Sequence, residues 1–570
     1  MNTGPVSPDD NPELPLDRRA FLSRSIAAGL ATAGAGLGSG AVAPTGAVAV
    51  EIGPRGSRSR ANKAHLIRVR AATLQRRERA KEHPTNDDEE LYVTRIGNFS
   101  KGLPHSALGH VDAGAYDAMR SAIKSGKPDA FEAIPMGSTV PGQQRPLVNP
   151  QSALAFDVSG ADSHALAIPP APAFASSQIA GEIVENYWMA LLRDVPFSEF
   201  GGDGLALAAT ADLTARTDFR GPKVGNAVTT QTLFRDALPG ATTGPYLSQF
   251  LWLPVPFGAA YVEQRMRTVV PGSHFMTSFP EWLSIQRGEL PVSAQQFDST
   301  RRYIRNGADL AQWVHIDVLF QAYFHAMLIL LTPPDAGDAD SSGLGAPFDR
   351  GNPYSVSANQ QGFGTFGGPH VASLMCEVAT RALKAVWYQK WSVHRRLRPE
   401  VFAARVHNHL TGAAGYPLAI SELTSSQAIS QIYSRHGSYL LPMAFPEGSP
   451  LHPSYGAGHA TVAGACVTIL KAWFDESTVI ENPVVASPDG LSLLPYTGPT
   501  LTVGGELNKL ASNVSTGRNI AGVHWRSDGA ESLKLGEAVA ISMLREQRLL
   551  CNERFDGFTL TKFDGTTVTV

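Results

Sequence analysis

The stretch TVAGACVTILKAWF, Thr461 to Phe474, is apolar almost all round, so a helix there is buried on every side and not along one face only. Such a segment belongs in the core of a large globular protein. Just before it stands HPSYGAGHA, residues 452–460, with His452 and His459 seven apart and Pro453, Gly456, Ala457 and Gly458 between them. The arrangement predicts that His459 lies in the first turn of the buried helix. Free N–H groups and the positive end of a helix dipole make such a start a site for a phosphate-like anion. A tight turn with packing histidines has the same appearance from this window alone.

Composition agrees with a large core. The chain has 570 residues, 43% hydrophobic and 17% charged, with a net charge of -3. That excludes a disordered or fibrous chain and gives no sign of a nucleic-acid partner. No run of about 20 apolar residues indicates a membrane span. Cys376, Cys466 and Cys551 are too few and too scattered for a disulfide framework or a zinc site, and they read as packing residues.

The N-terminus differs in kind. DRRAFLSRSIAAGLATAGAGLGSGAVAPTGAVAV joins Arg18 and Arg19 to Phe21 and Leu22, then to a weakly apolar Ala/Gly stretch with A-x-A sites at Ala41 to Ala43 and Ala47 to Ala49. It resembles a Tat export signal spanning residues 1–49, which implies a bacterial chain working in the periplasm or outside the cell. A basic, helix-prone arm follows over residues 50–95 and reads as a solvated helix face, its charge offset by the adjacent NDDEE. Residues 96–570 show no long linker and no fixed-period repeat.

Within that span the pattern is helices joined by Gly/Pro loops. Ala180 to Val195, Arg301 to Leu331, Pro369 to Lys390 and Glu531 to Leu550 carry apolar positions at helical spacing. Strand signals are short; the best is the tail FTLTKFDGTTVTV, where Asp564-Gly565 predicts a hairpin. The expectation is a mainly α, bundle-type single domain with a few short strands.

Two further clusters join the opening stretch. In KWSVHRRLRPE, Lys390 ends a long helix, and Pro399 pushes Arg398 toward an extended backbone, so the arginine can leave the helix. Taken alone, Lys390, Arg395, Arg396 and Arg398 could be a solvated charge run. In STGRNIAGVHWRSDG, a helix through the segment would put His524 and Asp528 on one face, with Asp528 holding Nδ1–H and Nε2 left free as ligand or nucleophile. Lys390, Arg398 and Arg518 are then cations for a tetrahedral oxyanion, joined by loop N–H groups and two histidines.

In this order, Lys390, Arg398-Pro399, Gly458-His459, and Arg518 with His524 and Asp528 resemble the three-part pattern of vanadium-dependent haloperoxidases and type 2 phosphatidic acid phosphatases. QKWSVHRRLRPE, EGSPLHPSYGAGHA and NFSKGLPH (Asn98 to His105) are similar to bromoperoxidases of marine algae and their bacterial relatives, a likeness running from about residue 55 to the C-terminus. The resemblance implies a helical-bundle haloperoxidase with vanadate as cofactor and its site within residues 387–528. It implies His524 as axial metal ligand, and Lys390, Arg398, Arg518 and the Gly458 N–H as donors to the vanadate oxygens. His459 would handle protons, Lys390 would polarise the oxidant, and His452 and Trp387 would lie beside the halide. Hydrogen peroxide, a halide (bromide foremost) and a small organic acceptor are the implied partners, and a homo-oligomer follows by analogy.

One position departs from that pattern: Ala457 stands where such sequences usually have Ser, removing a hydroxyl donor to the anion. An acid phosphatase with His524 as nucleophile, and a non-catalytic oxyanion-binding homologue, are the alternative readings. DADSSGLGAPFD, with Asp338, Asp340, Ser342 and Asp349, has oxygen ligands spaced in the manner of a calcium loop but reads as an acidic surface loop.

Overall fold

The computed structural model describes residues 56–138, 140–334 and 343–570. The twin-arginine leader and the Asp338, Asp340 and Ser342 trio lie outside them. The basic run forms one helix, α1 (Ser57–Arg77), with no buried residue among those described. From His65 to Val570 the chain gathers into one compact unit.

The elements that build the site are all helical. They are α2 (Ser177–Leu191), α3 (Gly307–Ile316), α4 (Gln321–Leu331), α5 (Gly368–Trp387), α6 (Pro399–Leu410), α7 (Gly458–Trp473), α8 (Val503–Ile520) and α9 (Arg526–Gln547). Strands come only as two-stranded antiparallel pairs among the described residues. One is the C-terminal pair Thr559–Thr561 and Thr567–Thr569, closed at Asp564-Gly565 as expected.

α7 is the apolar run, and it lies at the centre: every residue from Ala460 to Trp473 is buried. It packs against α5, α8 and above all α9. The crossing with α9 depends on two glycines. A Cβ on Gly464 would stand 2.1 Å from the Leu533 carbonyl oxygen, and one on Gly536 would stand 2.0 Å from that of Thr461. The helix backbones therefore touch, and only glycine fits at either contact. This contact carries the N-terminus of α7 to the N-terminus of α9, where the two histidine motifs meet.

Two expectations are corrected here, and one alternative reading is set aside. The span Arg301 to Leu331 is not one helix: the strand Phe297–Arg302 enters it, Asn306 caps α3 through the Asp309 N–H at 2.9 Å, and α3 and α4 meet at 98°. Lys390 does not end an α-helix but sits in a π-helical turn, Tyr388–His394, that continues α5. The basic residues of KWSVHRRLRPE are not a solvated run, since Lys390, Arg396 and Arg398 are buried and Arg395 pairs with Glu89. All three cysteines are free, as packing residues would be. Among the described residues no single helix is long and apolar enough to cross a membrane.

Candidate active site

Arg398 is the hub. It has extended backbone (φ −86°, ψ 157°) immediately before α6, the geometry Pro399 imposes. Its guanidinium donates to the carbonyl oxygens of His452 (2.9 and 3.1 Å) and Val523 (2.7 Å). It also reaches His524 Nε2 and His452 Nδ1, each at 3.0 Å. One side chain thus ties the HPSYGAGHA loop to the turn before α9.

Lys390 is fully buried and donates to the carbonyl oxygens of Pro453 (2.8 Å) and Ser454 (3.0 Å). Arg518, near the end of α8, donates to the Val314 carbonyl at 2.7 Å, and its buried Nε has no acceptor. Among the described residues none of these three cations hydrogen-bonds a carboxylate. Two other buried cations are neutralised directly, Lys101 by Glu400 at 2.7 Å and Arg396 by Asp528 and Glu182 at 2.8 and 3.2 Å, whereas Arg405 and Lys471 stand singly and donate to neutral oxygens. Burial and then the charge of Arg398 pull the Lys390 ammonium well below its ordinary range. Burial draws Arg398 down to about 9, with Arg518 adding to it, and draws Arg518 down to about 10 against the pull of Asp317 and Glu447. The site is a pocket of mutually repelling donors, whose repulsion a bound anion would relieve.

His524 faces this pocket. Its Nδ1 lies 2.8 Å from Asp528 Oδ2, which also accepts the Trp525 N–H at 3.2 Å and the Ser454 hydroxyl. The His524–Asp528 pair does not lie on one helix face, as the spacing had implied. His524 precedes α9, and Asp528 in the first turn of that helix caps the entry while gripping the ring. Since a carboxylate accepts, Nδ1 carries the proton, and Nε2 turns its lone pair toward the Arg398 guanidinium. Burial first, then Arg398, Lys390 and Arg518, hold the imidazole well below its ordinary pKa, so it is neutral at neutral pH. His452 is depressed likewise, by burial, Lys390 and Arg398, and its ring lies 4.8 Å from that of Trp387.

His459 sits in the first turn of α7, as the sequence predicts, and differs from the other two histidines. Its side chain is 27% exposed, and its Nε2 meets Asp317 Oδ1 at 3.0 Å. Trp387 forms one wall, its ring 5.8 Å from Lys390 Nζ and 3.2 Å from where a Cβ on Gly458 would stand. Gly456 proves to serve the packing of α9: a Cβ there would meet Ser532 Oγ at 2.2 Å, and that hydroxyl accepts the Ala457 N–H at 2.7 Å. Ala457 is the residue before α7 and offers no side-chain cap.

Two participants escaped the sequence reading. Asp317 lies just beyond α3, in the break between α3 and α4 that helical periodicity concealed. Arg396, buried under Asp528, looked like one of several surface charges.

With this geometry in hand, comparison with known proteins is decisive. Residues 373–553 match a family described as the VCPO second helical-bundle domain. A vanadium-dependent bromoperoxidase of Corallina pilulifera is 38% identical over 602 aligned positions, covering 90% of this chain and 98% of that protein. The corresponding protein of Corallina officinalis is 37% identical over 568 positions, covering 85% and 92%. The chain belongs to the vanadium-dependent bromoperoxidase family. In structure it is similar to the second vanadate-dependent bromoperoxidase of Ascophyllum nodosum, a homohexamer, with a TM-score of 0.84, 31% identity and 94% coverage of each chain.

For this bromoperoxidase-family chain the network fixes one tautomer. Nitrogen NMR of histidine-labelled protein should find His524 protonated at Nδ1 and bare at Nε2 at neutral pH. Asp528→Asn, which can present an NH₂ to that nitrogen, should mix the tautomers. A wild-type His524 carrying its proton on Nε2 would contradict the assignment.

Proposed function

We propose that this chain is a vanadate-dependent haloperoxidase that oxidises a halide, bromide foremost, with hydrogen peroxide: H₂O₂ + Br⁻ + H⁺ gives HOBr + H₂O. The observation that carries this reading is the trio Lys390, Arg398 and Arg518, buried without a hydrogen-bonded carboxylate, around a neutral His524 whose Nε2 is bare. That set fits vanadate. The three cations and the Gly458 N–H at the start of α7 would hold its oxygens, and His524 Nε2 would bind the metal. The chemistry it supplies when bound is Lewis acidity toward the peroxide, without a change in the metal's own oxidation state.

The protein's own residues divide the remaining work. Asp528, clamped by Arg396, keeps the His524 proton on Nδ1 and the ring in place. Lys390, with no hydrogen-bonded carboxylate, is free to direct its ammonium group to oxygen once an anion is present to offset the burial and the Arg398 charge. His459 is the histidine that can exchange protons with water, since His452 and His524 are 7% and 2% exposed. Its Nε2 is engaged by Asp317, which leaves Nδ1 to give a proton to, or take one from, the oxidant. His452 and Trp387 form the wall where a halide would approach. By the same reading the enzyme is a homo-oligomer, in line with the homohexameric relative, and Arg18-Arg19 with its small-residue exit directs export across the cytoplasmic membrane.

Bromination of a phenol-red type dye should require both peroxide and orthovanadate. Excess phosphate, with the same tetrahedral shape, should slow reconstitution of metal-free protein. His524→Ala should abolish turnover while weak anion binding persists. Hydrolysis of a phosphomonoester without bromide oxidation would favour the phosphatase reading; undiminished bromide oxidation by His524→Ala would sink the site assignment.

Ala457→Ser returns the hydroxyl that the family resemblance implies. A hydrogen bond to a charged partner contributes about 1.5 to 3 kcal/mol, so vanadate binding should tighten roughly ten- to a hundredfold. Ala457 also stands at the N-cap of α7, where serine can turn its oxygen onto the helix N–H groups instead and raise the thermal midpoint alone. Equilibrium dialysis separates the two: vanadate bound no more tightly by the serine variant refutes the missing-donor account.

A further inference from the structure

A cavity of 720 Å³ shares no lining residue with the site around His524. Its volume lies within the range of small-molecule sites, about 300 to 1,000 Å³. Its wall is aromatic: Phe197 and Tyr246 stack at 3.8 Å between ring centroids with 9° between planes, and the buried Trp252 lies alongside. Its charge is of one sign, because Arg235 and Arg305 line it and no Asp or Glu does.

Arg235 is 8% exposed and hydrogen-bonds only carbonyl oxygens, those of Ala241 (2.9 Å), Pro245 (3.1 Å) and Gly244 (3.1 Å). Its Nε is buried with no acceptor, and the guanidinium carbon stands 5.1 Å from the Tyr246 ring centroid. These contacts hold the loop from Ala241 to Tyr246 in place but leave the guanidinium charge without a hydrogen-bonded carboxylate beside an aromatic cavity. Arg305 is better served, with the Asp489 carbonyl at 3.1 Å and Asp309 at 3.3 Å. The combination selects a ligand with a planar face for the aromatic wall and a negative group for the guanidinium.

We propose that this cavity is a binding site for an aromatic carboxylate, its ring against the Phe197–Tyr246 wall and its carboxylate toward Arg235 and Arg305. An inorganic anion would leave the aromatic wall unused, and a neutral arene would leave Arg235 without a counter-charge. The site is independent of the vanadate pocket, so its occupancy leaves halide oxidation to run as before.

Isothermal titration of the full chain with 4-hydroxycinnamate tests this, alongside 4-hydroxycinnamide, which keeps the ring and loses the charge, and inorganic phosphate, which keeps charge and loses the ring. The carboxylate should bind, and the amide and phosphate should each bind at least about tenfold more weakly, the scale of one lost charge-assisted contact. Gly201 lines the cavity, and a Cβ there meets nothing within 4 Å, so Gly201→Phe adds bulk at the cavity with no clash at the Cβ. That variant should lose binding with an unchanged thermal midpoint and unchanged bromide oxidation, and Arg305→Gln should weaken binding without filling the cavity. Equal binding of the amide, equal binding by Gly201→Phe, or no binding of 4-hydroxycinnamate by the wild type overturns the proposal.

Discussion

Lys390, Arg398 and Arg518 repel one another in a place water barely reaches, and the fold accepts that repulsion. Removing a charge from water costs several kcal/mol, and bringing like charges together adds to it. The protein answers with main-chain carbonyl dipoles, from Pro453, Ser454, His452, Val523 and Val314, and with no hydrogen-bonded carboxylate. Carbonyls orient a cation without cancelling it. A carboxylate in the same place would fill the site with the protein's own anion, so the positive field survives only because the acids are held one layer back.

That second layer is built with care for direction. Asp528 is acceptor to His524, Trp525, Ser454 and Arg396 at once. It joins the three site segments while facing the anion pocket only through an imidazole. Glu400, in the first turn of α6, also joins segments: it takes Lys101 and the Ser449 N–H, while Lys101 also donates to the Glu447 and Ser449 carbonyls at 2.9 and 2.8 Å. NFSKGLPH, RLRPE and EGSPLHP are thereby locked to each other by one buried ion pair. The glycine-mediated contact of α7 with α9 fixes the distance between the two histidine loops that this frame then orients.

Much of this is legible in the residues themselves. An all-apolar run can only be a buried helix, Pro399 forces Arg398 out of helical backbone, and Asp564-Gly565 between alternating residues closes a hairpin; each follows from local sterics or burial. The cation set is also legible, because its order along the chain matches a family pattern. What local reasoning does not reach is tertiary. Asp317 lies where α3 stops, within a span whose periodicity continues unbroken into α4, and only the meeting of the two helices at 98° reveals that the chain turns there to present a carboxylate to His459. The cue was present in Asn306-Gly307, a helix start inside the presumed helix. Arg396 is indistinguishable in sequence from Arg395, yet one is sealed beneath Asp528 and the other pairs with Glu89. Gly456, in the loop before α7, makes room for Ser532, a neighbour 76 residues away that no local pattern foretells.

The central claim is that the buried cations are stabilised by an anion that binds the folded state alone. A ligand of that kind raises stability by RT ln(1 + [L]/Kd). The most direct test is the thermal midpoint of metal-free protein against orthovanadate concentration, with Lys390→Met and Arg398→Met run beside it. The midpoint should climb with the logarithm of vanadate above its dissociation constant, with one vanadate bound per chain and a much smaller rise in either variant. A wild-type midpoint unmoved by excess vanadate, or one that climbs equally when Lys390 and Arg398 have lost their charge, would contradict it.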